Sequence, residues 1–311
     1  MNSVSLKNII KTYGDVKAVN DVSFEVQKGE LFGLIGPDGA GKTSIFRILT
    51  TVLLADSGAA TVEGFDVVKN YREIRNRVGY MPGRFSLYQD LTVKENLSFF
   101  ATVFGTTIEK NYELIKDIYD QIKPFNNRRA GKLSGGMKQK LALCCALIHK
   151  PDVLFLDEPT TGVDVVSRKE FWDMLDKLKK QGITIVVSTP YMDEATLCDR
   201  IALIQNGNIM SIDNPDNIVQ SFPKPLFAAK ADNIYKLLEY LRTDGEIESC
   251  YAFGEYLHLT LKSDEIEAES VTDIAGKYNA SGLETKLITP TIEDSFIRLM
   301  NEYNHGEAVK N

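Results

Sequence analysis

The chain has 311 residues, about twice the length of a typical domain of ~150 residues, so one large or two moderate domains are expected. Hydrophobic residues make up 43% and charged residues 25% of the chain, which is typical of a globular protein and unlike a disordered or fibrous one. The net charge of −7 argues against a nucleic-acid partner or general adhesion to anionic lipid, because both need clustered positive charge.

The cysteines and the start of the chain argue against further classes. Of the four cysteines, two are adjacent and none forms a CxxC pair, so neither a zinc site nor a disulfide framework is predicted and a reducing compartment is expected. The start, MNSVSLKNII, lacks a basic region followed by an apolar run, so no signal peptide is predicted. No stretch approaches the ~20 apolar residues of a membrane span, and we expect none.

Strands are predicted at the start of the chain and again at several later points. Val4, Leu6 and Asn8 alternate with polar residues and are expected to share one face of a strand. A second alternating run ends at Val26. Short apolar runs, expected to be strands in the interior of a sheet, follow at residues 31–35, 153–156, 183–187 and 201–204. Asn206-Gly207 then predicts a hairpin turn. Buried strands separated by helical stretches favour an α/β fold with a parallel sheet.

Residues 92–149 predict a helical insert of roughly 55 residues. Thr92 is expected to cap the first helix, with Glu95 at the third position of a capping box. Residues 111–122 place apolar side chains at helical spacing.

The last third of the chain predicts a second, smaller domain. The cluster Phe222-Pro223-Lys224-Pro225 is a plausible linker. Beyond it the predicted order is βαββαβ, which is typical of a ferredoxin-like α+β domain. The predicted strands and helices lie at residues 226–230, 234–242, 246–253, 256–261, 268–278 and 283–288.

The strongest motif is Gly36-Pro37-Asp38-Gly39-Ala40-Gly41-Lys42-Thr43, which fits G-x-x-x-x-G-K-[ST] and lies between a predicted strand and a predicted helix at residues 44–51. Its glycines allow backbone N–H groups to turn toward phosphate oxygens, and the helix N-terminus adds a positive dipole end. Lys42 would reach the outer phosphates, and Thr43 would place a hydroxyl on Mg²⁺.

Two further motifs suit the same chemistry. The apolar run at residues 153–156 ends in Asp157 and Glu158, which suit Mg²⁺ binding and polarisation of an attacking water. Ser134-Gly135-Gly136 precedes a predicted helix and offers free N–H groups to an anion, although such a sequence alone is also an ordinary helix cap.

Together, and in this order, these motifs closely resemble the ATPase subunits of ABC transporters over residues 3–215. The matching segments are the Walker A loop (residues 36–43), the signature (133–136), the Walker B strand (153–158) and the D-loop (161–164). By resemblance, Tyr13 stacks on adenine, Asp157 and Thr43 bind Mg²⁺, Glu158 is catalytic, and Ser134, Gly135, Gly136 and Asp164 face a partner subunit. The ATP-binding residues implied are Tyr13, Gly36, Pro37, Asp38, Gly39, Ala40, Gly41, Lys42, Thr43 and Ser44.

The resemblance also implies an architecture and a function. The expected fold is a P-loop ATPase at residues 1–220, with a mixed or parallel sheet, an antiparallel β-subdomain and a helical subdomain at about 85–150. Residues 221–311 form an accessory domain, whose Pro290-to-Phe296 segment looks like that of ABC-2-type export ATPases of the daunorubicin-resistance and YbhF-like groups. The expected protein binds ATP and Mg²⁺ and energises export through separate membrane subunits, from the inner face of the membrane. The loop with Phe85, Leu87 and Tyr88 would dock the membrane subunit, or belong to the core of the helical subdomain.

The sequence departs from the family pattern at two positions. A glutamine that contacts Mg²⁺ and the attacking water is replaced by Gly83, and a histidine that contacts the γ-phosphate is replaced by Pro190, which cannot donate a hydrogen bond. Asp38 also stands where the family usually has asparagine. Losing both sensors predicts a degenerate site, in which Mg-ATP binding survives better than turnover.

The family's sites form between two subunits, so a second ATPase subunit is expected. A heterodimer with one weak and one active site is favoured over a homodimer of two weak sites. The alternative function is a nucleotide-binding regulatory subunit that hydrolyses little ATP. A non-transport ABC protein is disfavoured, because neither a second motif set nor a long coiled coil is present.

Overall fold

The computed structural model describes residues 2–84, 86–263, 268–277 and 281–308. Within them the chain divides into two compact units. One is formed by the residues up to Pro215 and those from Leu299 on, and the other by Asp216–Arg298.

The first unit alternates strands with helices along most of its length. Its elements are β1 Asn2–Tyr13, β2 Val16–Gln27, β3 Leu31–Ile35, α1 Lys42–Leu49, β4 Ser57–Val62, β5 Phe65–Asp66, α2 Tyr71–Arg75, β6 Val78–Met81, α3 Val93–Val103, α4 Tyr112–Ile122, α5 Gly135–Leu147, β7 Val153–Asp157, α6 Val165–Lys180, β8 Thr184–Thr189, β9 Arg200–Gln205 and β10 Asn208–Asp213.

The main sheet of this unit runs in the order β10-β9-β3-β8-β7-β6. All neighbouring strands in it are parallel except β9 and β10, which are joined by the predicted hairpin turn at Asn206-Gly207. Every residue of β3, β7 and β8 is buried. On one face of the sheet, Phe32 and Phe155 share a core with residues of α1 and of the antiparallel strands β1 and β2. The prediction of an α/β fold is confirmed. Since β3 and β7 both lie beside β8 and run parallel to it, the loops after them emerge at the same edge.

A second, antiparallel sheet runs in the order β2-β1-β4-β5. Here the predicted alternation is wrong at Asn8, which is exposed with a φ of 51° while Ile9 is buried. The register of β1 against β2 shifts between Leu6 and Ile9. Asn8 adopts this left-handed conformation because its amide donates to Asp21 Oδ1 (2.9 Å) and its backbone N–H to Ser23 Oγ (2.8 Å).

Helices α3, α4 and α5 lie within the helical insert predicted at residues 92–149. The predicted capping box at the start of α3 is confirmed: Thr92 Oγ1 accepts from the Glu95 N–H (3.2 Å), and Glu95 accepts from the Thr92 N–H (2.8 Å). Helix α4 begins at Tyr112 and packs its apolar face against α5. The helix predicted at residues 44–51 begins two residues earlier and ends at Leu49.

The second unit has the predicted ferredoxin-like order. The elements that follow β10 in the chain are α7 Pro215–Gln220, β11 Leu226–Lys230, α8 Ile234–Thr243, β12 Ile247–Phe253, β13 Tyr256–Leu261, α9 Ala268–Gly276, β14 Glu284–Ile288 and α10 Ile292–Ala308. The antiparallel sheet runs β12-β13-β11-β14, and α8 and α9 cover one of its faces through residues such as Leu237 and Ile274. The βαββαβ prediction is therefore confirmed. Tyr278, the predicted end of α9, lies outside the described residues.

The cysteines of the two units have little contact with solvent. All four cysteines are free and buried, and burial raises the pKa of each thiol. Over the described part of the chain, no helix has both the length and the apolar character needed to cross a bilayer.

Candidate functional site

The Walker A loop leaves β3 and is pressed against neighbouring backbone. A β-carbon on Gly36 would lie 2.1 Å from the carbonyl oxygen of Ile204. Gly41 has a φ of 103°, and a β-carbon there would lie 2.2 Å from the carbonyl oxygen of Ala18. Glycine is required at both positions, because any side chain would push the loop off β9 and β2.

Lys42 is the centre of this loop. Its side chain is only 3% exposed, and its ammonium donates to the carbonyl oxygens of Gly36 (2.8 Å) and Pro37 (3.0 Å). Glu158 Oε1 lies 3.1 Å from the same nitrogen and forms an ion pair with it. The sheet has therefore joined two motifs that are 116 positions apart in the sequence.

A cavity opens in front of this ammonium. Its described lining residues are Ala18, Gly39, Ala40, Gly41, Lys42, Thr43, Ser44 and Glu158. Thr43 and Ser44 contribute from the first turn of α1, where backbone N–H groups have no partner within the helix. Most of the predicted phosphate-binding residues are thus brought together around one space.

Asp157 and Glu158 follow one another at the end of β7 but face different surroundings. Asp157 is 2% exposed and accepts a hydrogen bond from Ser188 Oγ at 2.7 Å. Burial, together with the negative charge of Asp157, raises the pKa of Tyr80 to about 12.

Gly83 lies next to Asp157, since a β-carbon on Gly83 would lie 3.1 Å from the Asp157 carbonyl oxygen. The position of the missing glutamine is therefore beside the Walker B carboxylate.

Pro190 follows the last residue of β8 at the same edge of the sheet. The hydroxyl of Thr189 is engaged with Glu194, a buried carboxylate that also accepts from Thr160 Oγ1 (2.7 Å) and Arg168 Nε (3.1 Å). This network ties the segment after Glu158, the start of α6 and the turn after β8 to one another. The sequence motifs do not predict this network, although Thr189 and Glu194 lie in the segment where Pro190 replaces the family's histidine.

Tyr13 and Asp38, two of the predicted ATP-binding residues, lie outside the lining of the Lys42 cavity. Tyr13 is 46% exposed, and its hydroxyl lies 3.3 Å from Ser44 Oγ, so the ring is beside the first turn of α1. Asp38 is exposed and is not one of the described residues that line the cavity. Pro37 and Gly36 contribute through their carbonyl contacts with Lys42.

The signature lies next to the D-loop. Ser134 caps α5 and accepts from the Met137 N–H at 3.4 Å, while a β-carbon on Gly136 would lie 2.7 Å from Ser167 Oγ on α6. Asp164 caps α6 by accepting from the Ser167 N–H (3.0 Å), and this hydrogen bond lowers the pKa of Asp164. These exposed turns contact each other, while the Lys42 cavity is lined by other residues.

A separate apolar cleft of about 450 Å³ begins at Gly83. Its lining includes Met81, Leu87, Phe100, Val103, Phe104 and His149. Leu87 is buried in the cleft, whereas Tyr88 is half exposed and stacks edge-on against Phe99 at 4.9 Å. Phe85 lies outside the described residues.

The residues around Lys42 fit a magnesium–nucleotide complex. Free N–H groups at a helix N-terminus and a fixed ammonium suit a polyphosphate chain. Thr43 and Asp157 supply oxygen ligands of the kind that Mg²⁺ uses beside substrate phosphates. Within the described ranges, no cluster of three or more His, Cys, Asp or Glu side chains could hold a metal ion without such phosphates.

Known proteins resemble this chain over much of its length. Residues 19–161 match the family model described as ABC transporter. The chain is 41% identical to the Escherichia coli probable multidrug ABC transporter ATP-binding protein YbhF over 217 residues, which are 69% of this chain and only 38% of YbhF. It is 37% identical to the Nod factor export ATP-binding protein I of Burkholderia lata, with 80% of this chain and 85% of that protein covered. The Rhizobium sp. N33 protein of that name is 33% identical, with 96% of both chains covered.

Solved structures resemble about two thirds of the chain. One, described as an ATP-binding subunit of an ABC transporter, has a TM-score of 0.64 at 25% identity and covers 70% of this chain and 92% of its own. A second is an ATP-binding cassette in a dimeric post-hydrolysis state bound to ADP and Pi. It has a TM-score of 0.62 at 25% identity and covers 68% of this chain and 98% of its own.

We expect Lys42→Ala to weaken Mg-ATP binding by about 100-fold, because the loop loses the ammonium that would bond to the outer phosphates. Isothermal titration calorimetry measures the change. Lys7→Ala, which removes an exposed lysine of β1, is the matched control and should bind normally. Unchanged affinity in Lys42→Ala would contradict the assignment of the phosphate site.

Proposed function

Because this chain belongs to the ATP-binding proteins of ABC transporters, we propose that it binds and hydrolyses ATP to energise export through separate membrane subunits of an ABC-2-type transporter. The predicted family and P-loop fold are confirmed by the relatives and solved structures described above. The observation that supports the function most strongly is the convergence of Lys42, Thr43, Asp157 and Glu158 at one edge of the main sheet. The multidrug and Nod factor export relatives support the direction of transport.

The chain's own residues divide the work of hydrolysis among them. Lys42 neutralises charge on the outer phosphates, and the loop N–H groups hold them in place. Glu158 polarises the attacking water, and for this its carboxylate must leave the ammonium of Lys42. Thr43 and Asp157 would hold Mg²⁺, which supplies charge stabilisation at the phosphates when bound.

The Walker site of this chain is proposed to be degenerate. Gly83 lies beside Asp157 and carries no side chain, and Pro190 has neither a side-chain nor a backbone donor. A single well-placed donor to a transition state contributes about 10²–10³ in rate. Binding depends on Lys42 and the loop, which remain, so ATP should bind well and turn over slowly.

The site is also proposed to need a second ATPase subunit. The signature and Asp164 lie at the starts of α5 and α6, are exposed, and do not line the Lys42 cavity. This position suits contact with a nucleotide that another subunit binds. This chain has the signature residues Ser134, Gly135 and Gly136 but lacks the glutamine and the histidine. In a heterodimer, its signature could complete the ATP site of a partner that has both residues, whereas a homodimer would have two sites that lack them.

The membrane subunit is proposed to dock at the cleft that begins at Gly83. The cleft is mostly apolar, and its lining residue Val103 is exposed. Tyr88 and Phe99, which are also exposed, are the sequence neighbours of the lining residues Leu87 and Phe100. Such a surface suits a partner helix better than open solvent. The chain would then be held at the inner face of the membrane as a peripheral subunit.

Residues 221–311 are proposed to serve as an accessory or regulatory domain. The described unit Asp216–Arg298 has its own sheet and its own core, centred on Leu237 and Leu259. A separate core is what a domain with its own function needs, so the proposed regulatory role belongs to the unit Asp216–Arg298.

Steady-state hydrolysis distinguishes an ATPase from a regulatory nucleotide-binding subunit. We expect the purified chain to hydrolyse ATP slowly and Glu158→Gln to reduce that rate at least 100-fold, because a general base typically contributes about 10²–10⁴. Nucleotide binding should persist, since the substitution removes a negative charge facing Lys42. If the wild-type rate equals that of Glu158→Gln, the regulatory alternative is correct.

Restoring the missing side chains tests the degenerate-site proposal. We expect Gly83→Gln combined with Pro190→His to raise turnover by at least tenfold, and each single change to do less, because both donors act on one phosphate and one water.

Gly83→Ala combined with Pro190→Ala is the matched control, since it adds the same β-carbon near Asp157 and the same backbone N–H at position 190 but neither side-chain donor. Thermal unfolding of all variants checks that the turn after β8 is intact. A folded, ATP-binding double variant that hydrolyses no faster than wild type would disprove the proposal.

A further inference from the structure

Ser188 is the penultimate residue of β8 and has no exposed surface. Its hydroxyl donates to Asp157 Oδ1 at 2.7 Å, across the register pair that joins the two residues on neighbouring parallel strands. The bond restricts rotation of the Asp157 carboxylate and so determines how its oxygens face the space beyond β7. Ser188 begins the segment in which Pro190 replaces the family's histidine, and the resemblance predicts no role for it.

The same serine also contacts the next residue of the Walker B segment. The backbone N–H of Glu158 donates both to the carbonyl oxygen of Ser188 (3.0 Å) and to its hydroxyl oxygen (3.1 Å). Glu158 has a φ of 50°, a conformation disfavoured for residues that carry a β-carbon. This turn directs the Glu158 carboxylate to Lys42.

We propose that Ser188 is a positioning residue for the magnesium–nucleotide complex, because its one hydroxyl orients Asp157 and supports the turn of Glu158. The inference rests on the proposed function, in which Asp157 binds Mg²⁺ and Glu158 polarises water. Ser188 would thus supply a side-chain donor within the strand, at a site where Gly83 and Pro190 supply none. The neighbouring hydroxyl of Thr189 is committed to Glu194 instead.

The test compares ATP affinity in Mg²⁺ with ATP affinity in excess EDTA by isothermal titration calorimetry. For Ser188→Ala we expect the gain in affinity due to Mg²⁺ to fall about tenfold, since partners that orient a metal-binding carboxylate typically contribute 10- to 100-fold. Affinity in EDTA should be unchanged, because Lys42 and the loop are not altered. Turnover should fall as well.

Thr184→Ala is the matched control. It removes another fully buried, hydrogen-bonded hydroxyl from the same strand, one that accepts from the Gly29 N–H at 3.0 Å far from Asp157. It should lower thermal stability without changing the effect of Mg²⁺. Ser188→Thr, which retains the hydroxyl, should restore the Mg²⁺ effect, and Ser188→Cys serves if the alanine variant does not fold.

An unchanged Mg²⁺ effect in folded Ser188→Ala or Ser188→Cys would overturn the proposal, as would an equal loss in Thr184→Ala. These results do not depend on hydrolysis. If the wild-type chain binds Mg-ATP and hydrolyses none, the proposed ATPase function fails while the role of Ser188 in Mg²⁺ binding is still measured.

Discussion

A buried ammonium is the constraint from which the rest of the site follows. Lys42 is almost wholly removed from water, and a buried charge is tolerated only when it is paired and hydrogen-bonded. The carbonyl groups of Gly36 and Pro37 and the carboxylate of Glu158 provide those partners. In the proposed function, ATP phosphates would replace Glu158 as the partner of Lys42, which would free the carboxylate to polarise water. The ion pair would then link nucleotide binding to the release of the proposed catalytic group.

The surrounding fold holds the partners of Lys42 in place. The loop can wrap around the ammonium only because Gly36 and Gly41 lie directly against the backbone of Ile204 and Ala18. Glu158 reaches it because β7 lies beside β8, where Ser188 supports the turn. Behind this edge, Glu194 joins the ends of three segments through hydroxyl and guanidinium groups. The order of strands in the sheet, far more than local sequence, places these groups together.

Much of this arrangement is predictable, because its causes are local. The runs at residues 31–35 and 153–156 are apolar on both faces, and the Walker A glycines report a backbone requirement directly. The capping box at Thr92 and the βαββαβ order of the second unit follow from short-range patterns. Asn8 was predicted on the wrong face, because the register shift beside it depends on hydrogen bonds to residues on β2. The contacts of Ser188 and Glu194 could not be predicted, because their partners lie in other segments, up to 34 positions away.

In the proposed function, this chain binds ATP tightly, hydrolyses it slowly, and contributes its signature to the ATP site of a partner subunit. The most direct measurement is ATP hydrolysis by the full assembly with its second ATPase and membrane subunits, comparing Ser134→Arg with Glu158→Gln in this chain. We expect Ser134→Arg, which blocks the signature, to remove most of the activity, and Glu158→Gln to leave most of it. Equal losses, or a larger loss from Glu158→Gln, would disprove this division of roles between the two subunits.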